Sequence, residues 1–105
     1  MPEEGALKVY TSQEAQERLA KELPEWSYQD GYLTREIYTR DWKETVLIFG
    51  AIAYISEVHR HHPNMEVSFK NLKVKLITHE FGSITERDFD LAKDIEKTLF
   101  MRQKK

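Results

Sequence analysis

Three of the chain's four histidines, His59, His61 and His62, lie between positions 59 and 62, and the fourth, His79, follows seventeen residues after His62. Imidazole is the side chain whose unperturbed pKa sits nearest neutrality. A chain that confines all of it to one fifth of its length has the material for an acid–base or metal site there. Glu57 stands four residues before His61, a spacing that shares one helix face. A carboxylate in that place can hold an imidazole in one tautomer. Pro63 follows His62 directly, so His61 and His62 fall where a helix gives way to extended backbone. Asp88 supplies a second carboxylate. The expected site is three imidazoles and two carboxylates converging from three elements.

Three readings of these residues compete. They can be surface polar groups at a helix end, and for His59, which points away from Glu57 and His61 on a helical wheel, that reading is kept. They can bind a metal, although adjacent histidines followed by proline are not the i, i+4 pair of a helical metal site. They can be paired imidazoles performing acid–base catalysis without a metal.

The elements that must position them follow from pattern. Thr11 and Glu14 have capping-box spacing, Ala15, Leu19 and Leu23 share one helical face, and Pro24 ends that helix. Residues 26–29 and 32–39 read as strands joined by Asp30-Gly31, a two-residue turn signal. Arg35 shares the face of Leu33 and Ile37, so it sits at an edge or snorkels. Asp41 caps a long helix to about residue 60, roughly 30 Å long at the α-helical rise. Residues 66–70, with Val67 and Phe69 on one face, and residues 72–79, with Leu72, Val74 and Leu76 inward, read as two more strands turning at Lys70-Asn71. Thr85 caps a last helix with Asp88 three places on, and Phe89, Ala92, Ile95 and Leu99 give its apolar stripe. The order α-β-β-α-β-β-α predicts one α+β domain over residues 1–105. It is a four-stranded antiparallel sheet with helices on one face, and residues 1–10 and 103–105 are flexible ends.

Residues 46–55 are apolar all the way round the helix. One stripe suffices to cover a sheet, so the second predicts a homo-oligomer packed through helix 41–60; the alternative is wrapping by the chain's own helices. The run is too short to span a bilayer. A net charge of −2 argues against direct nucleic-acid binding. The absence of cysteine excludes thiolate chemistry and disulfides. With no charged-then-apolar leader, the expected location is the cytoplasm.

The arrangement of Glu57, His61-His62-Pro63, Phe69, Thr78-His79 and Asp88 resembles the signature of the pterin-4a-carbinolamine dehydratases, also known in animals as dimerization cofactors of a homeodomain transcription factor. Gly82, Thr85 and Asp88 look like the family's Gly-Gly-Leu-Thr-x-x-Asp, and the likeness covers about residues 19–95. It implies dehydration of 4a-hydroxytetrahydrobiopterin to quinonoid dihydrobiopterin, recycling the pterin of aromatic amino acid hydroxylases. No metal or cofactor is implied, since the pterin is the substrate. His61 and His79 would be the acid–base pair, His62 would bind and polarise the pterin, and Glu57 would orient His61. Pro63, Thr78 and Asp88 would complete the substrate-binding set, and Phe69 would be core packing. The family's dimers and tetramers form through its long helix and a sheet edge. The alternative role is a non-catalytic scaffold assisting a hydroxylase or transcription factor. The chain departs from the family at Met65, where many members carry an aromatic, and at residues 67–70, where many carry Asn-x-Tyr-Asn.

Overall fold

A computed structural model describes residues 7–103, with side chains to residue 100. Its elements are β1 (Val9–Tyr10), α1 (Ser12–Glu22), β2 (Ser27–Gln29), β3 (Tyr32–Tyr38), α2 (Trp42–His59), β4 (Asn64–Ser68), β5 (Asn71–Leu76), β6 (Ile84–Thr85) and α3 (Glu86–Gln103). The main sheet is antiparallel in the order β2-β3-β5-β4. This is the expected α+β architecture, with one addition. β1 pairs antiparallel with β6 in a separate two-stranded ribbon. Val9 and Tyr10 are therefore part of the folded domain, and Gln103 is still helical; residues 1–6 and 104–105 lie outside the described part.

Local chemistry explains the elements. The Thr11 hydroxyl accepts the Glu14 amide and the Glu14 carboxylate accepts the Thr11 amide, a closed capping box. Asp30 and Gly31 both take positive φ, as a tight hairpin turn demands. Asp41 accepts the Glu44 amide and starts α2. On the inner sheet face Leu33, Ile37, Leu72, Val74 and Leu76 are buried against Ile48 and Ile52 of α2 and against Phe89, Ala92, Ile95 and Leu99 of α3. Arg35 snorkels on that same face: its Nε donates to Glu96 Oε2 at 2.6 Å, and the Trp26 indole donates to the same oxygen at 2.7 Å.

The second hairpin turns one step earlier than the sequence suggests. Ser68 pairs with Asn71, so Phe69 and Lys70 form the turn, and β4 begins at Asn64. Phe69 is consequently exposed and is not core packing. The turn is instead tied to the start of α2, where the Thr45 hydroxyl donates to the Phe69 carbonyl at 2.9 Å. α2 buries one stripe, Thr45, Ile48, Ile52 and Ser56, against the sheet. Ile55 packs partly buried beside that stripe, whereas Leu47, Tyr54 and Val58 are exposed.

The β1–β6 ribbon anchors the start of α3. Arg18 of α1 reaches both oxygens of Glu86 at 2.7 and 3.0 Å, lies 4.3 Å from the Phe89 ring centre, and donates to the Tyr10 hydroxyl. The Arg18 guanidinium holds the Glu86 carboxyl below the usual carboxylate range, against the opposing effect of burial. A carboxylate with a depressed folded pKa stabilises the fold above its unfolded value and loses that contribution as pH falls through the folded pKa. Thermal unfolding of the wild type and of Glu86→Gln should therefore differ at pH 7, with the wild type more stable. The difference should narrow once pH falls below the ordinary glutamate value of about 4.3 and close below the depressed folded one; a gap that persists unchanged at pH 3 contradicts the pairing.

Candidate active site

The end of α2 determines where the histidines go. Its last helical residue is His59, and Arg60 adopts the left-handed conformation at φ 53° and ψ 39°. The Arg60 amide donates to the Glu57 carbonyl and the His61 amide to the Ser56 carbonyl, each at 3.1 Å. These two bonds make a Schellman cap. Glycine or asparagine suits that position; an arginine there costs about 1 kcal/mol or more in backbone strain. The left-handed turn takes His61 off the helical wheel. The i, i+4 relation between Glu57 and His61 then no longer applies, and the expected pair is not formed. Glu57 Oε1 meets His62 Nε2 at 2.9 Å, an exposed pair, while His61 swings toward α3.

There His61 Nε2 lies 2.6 Å from Asp88 Oδ1, with the imidazole 8% exposed and Asp88 fully buried. The other Asp88 oxygen accepts the Thr78 hydroxyl at 2.8 Å and the Thr85 amide at 2.9 Å. Thr78 has one proton and gives it to Asp88. The Thr85 hydroxyl therefore donates to Thr78 across 2.7 Å, while its own oxygen accepts the Arg87 amide. Every donor round the carboxylate is accounted for. An ionised Asp88 can only accept, so the hydrogen of neutral His61 sits on Nε2, and Nδ1 carries the lone pair. Among the described residues no hydrogen bond reaches Nδ1. Asp88 thus both caps the start of α3 and clamps the imidazole.

His79 does not end a strand. β5 stops at Leu76, Thr78 bridges to Ser83, and His79 falls in the turn closed by the Phe81 amide on Thr78 and the Gly82 amide on His79, with Gly82 at φ 60°. A glycine at the positive-φ corner lets the chain reverse before β6. The His79 side chain is exposed and makes no hydrogen bond among the described residues. Pro63 is half-buried in the extended run into β4.

A cleft of about 420 Å³ opens beside His61. Its lining is His59, Arg60, His61, Glu80, Arg87 and Asp90. The structure therefore brings His59 to the same cleft as His61, opposite to the wheel-based expectation, and leaves His62 and His79 out of its lining. His59 Nε2 meets Asp94 Oδ2 of α3 at 2.7 Å. Glu80 meets Arg87 at 3.2 and 3.3 Å, and that guanidinium holds its carboxyl below the usual range. Sequence reasoning missed His59, Arg60, Glu80, Arg87 and Asp90. The cleft needs the left-handed joint at Arg60 and the approach of α3, and neither leaves a local pattern. Among the described residues no three His or carboxylate groups are arranged to hold a metal ion, and no helix is long and apolar enough to cross a membrane.

The site thus joins an imidazole clamped by a fully buried carboxylate to a ligand-sized cleft in a small α+β domain. Comparison with known proteins gives the class. Residues 8–98 match the family described as pterin 4 alpha carbinolamine dehydratase. A provisionally named pterin-4-alpha-carbinolamine dehydratase of Aquifex aeolicus is 46% identical over 86 residues, covering 82% of this chain and 87% of the relative. One of the same name from Nitrosospira multiformis is 33% identical over 99 residues, covering 94% and 86%. The crystal structure of a transcriptional coactivator/pterin dehydratase from Brucella melitensis superposes with a TM-score of 0.78 at 25% identity, covering 86% of this chain and 97% of that one. The chain belongs to the pterin-4a-carbinolamine dehydratase family, whose enzymes are hydro-lyases.

Proposed function

We propose that the protein dehydrates 4a-hydroxytetrahydrobiopterin to quinonoid dihydrobiopterin in the cytoplasm, by histidine acid–base catalysis without a metal. The observation that carries this reading is the buried Asp88, which holds His61 by Nε2 and leaves Nδ1 for the substrate. Loss of water from a carbinolamine needs a proton delivered to the departing hydroxyl and one removed from the ring nitrogen. A protonated His61 delivers the first from Nδ1. His79, exposed on the turn after Thr78, accepts the second when the substrate lies between the two. His62, paired with Glu57, polarises the pterin, and Pro63 and Thr78 complete the binding set, Thr78 through its bond to Asp88. No cofactor enters the scheme, because the pterin is itself the reactant.

The chain acts as a homodimer or homotetramer in this proposal, with the uncovered stripe of α2 and an edge of the sheet as its joining surfaces. The test of the activity is direct. Chelator-treated protein is mixed with chemically generated carbinolamine, and the decay of substrate absorbance is compared with buffer. Acceleration is expected; a decay equal to that in buffer overturns the reading.

A further inference from the structure

The cleft beside His61 contains groups that the acid–base scheme does not use. Three of its neighbouring carboxylates are already committed: Asp88 to His61 and two threonines, Asp94 to His59, and Glu80 to Arg87. Asp90 is not. It lines the cleft, is exposed, and has no hydrogen bond or ion pair among the described residues. The Arg60 side chain lines the same cleft and is likewise unpaired among them. It also occupies a left-handed position that arginine fills only with strain. Neither the backbone nor a neighbouring side chain accounts for an arginine there. A ligand with an acceptor for Arg60 and donors for Asp90 would.

We propose that Arg60 and Asp90 read the pyrimidinone edge of the substrate and so set its specificity for 2-amino-4-oxopteridines. The inference rests on the dehydratase reading and extends it to substrate recognition. That edge presents a carbonyl oxygen at position 4, then N3–H, then the 2-amino group: one acceptor followed by two donors. A guanidinium suits the acceptor, and a carboxylate takes the two donors in bidentate fashion. The order fits the chain. The reacting carbon 4a is bonded to carbon 4, so the carbonyl is the ring group next to the chemistry. Arg60 is next to His61 in sequence. Asp90, one turn of helix beyond Glu86 on α3, meets the farther donors. The cleft volume is within the range that holds small ligands.

Pterin and lumazine separate this inference from the reading beneath it. The two bicycles share the 4-carbonyl, but lumazine has a 2-oxo group where pterin has the amine. Binding of each to the full-length protein is titrated by ligand fluorescence, for the wild type, Asp90→Asn and Arg60→Gln. Wild type should prefer pterin by about tenfold or more, because a carboxylate facing a carbonyl is repelled and a site built for donors rejects their absence. Asp90→Asn should weaken pterin binding about tenfold and bring the preference close to one, since an amide can face either group. Arg60→Gln should weaken both ligands alike by about fivefold or more. Both side chains are exposed, so each variant folds, and the ratio between two ligands does not respond to a loss of stability. Retention of the wild-type preference by Asp90→Asn, in a protein that binds pterin and dehydrates the carbinolamine, overturns this inference and leaves the activity standing. A wild type that neither binds pterin nor accelerates dehydration removes both.

Discussion

Replacing Asp88 by Asn is expected to cut turnover of the carbinolamine about 10³-fold. The carboxylate accepts from three directions: His61 Nε2, the Thr78 hydroxyl and the Thr85 amide. An amide in its place carries two hydrogens and one acceptor oxygen. It can satisfy the two donors at Thr78 and Thr85 only by pointing its own N–H groups at His61. His61 must then accept at Nε2, so it cannot form the imidazolium that delivers a proton from Nδ1, and giving up Nδ1–H from the neutral ring would leave an imidazolate. The magnitude is the one general acid–base catalysis supplies when the group works and loses when it is misprotonated, about 10²–10⁴. Stability should fall too, by about 1–3 kcal/mol, the cost of an unsatisfied group in a fully buried site. The two effects separate because stopped-flow rates can be measured well below the midpoint of thermal unfolding. His61→Ala combined with His79→Ala should leave no rate above buffer. Full activity in that double variant would dismiss these imidazoles as the acid–base pair.

The second large effect concerns α2. Leu47 is 65% exposed, Tyr54 72% and Val58 65%, with Trp42, Val46 and Phe49 exposed beside them. Isolated apolar side chains on a surface need no explanation, but a stripe continued over an 18-residue helix does. If a second copy covers that stripe, light scattering will give a mass at least twice 12.5 kDa. Leu47→Glu should then return the mass to that of one chain, because a carboxylate cannot be buried in an apolar seam without a partner. The substitution lies on an already exposed position, so the fold of the single chain should survive it. A wild type that scatters as a monomer contradicts the assignment of this face.

The sequence determined most of the architecture, because the signals there are local. Hairpin turns, caps and the alternation of Leu72, Val74 and Leu76 are decided within a few residues of backbone, and all three helices form as read. The exceptions are where one residue of register matters. Phe69 alternates with Val67 and so resembles an inward strand residue, but the pairing of Ser68 with Asn71 places it in the turn. The Val9–Tyr10 pair was invisible because its partner strand, Ile84–Thr85, lies 75 residues away and each is too short to show a period.

The site divides along the same line. That His61 and Asp88 belong to one site was legible from their types and spacing, as was the family that this chain proves to belong to; the part of Thr78 and Thr85 in holding Asp88 was not. Which carboxylate serves which imidazole was not. The helical spacing assigned Glu57 to His61, and it would have been right had the helix continued through residue 61. A single left-handed residue, Arg60, breaks that continuity. It gives Glu57 to His62, turns His61 inward to Asp88, and opens a cleft that His59, Arg60 and Asp90 share. Sequence fixes such a relation only while the backbone keeps its period. Where φ changes sign, the direction of every later side chain depends on what the chain packs against, and here that is the first turn of α3.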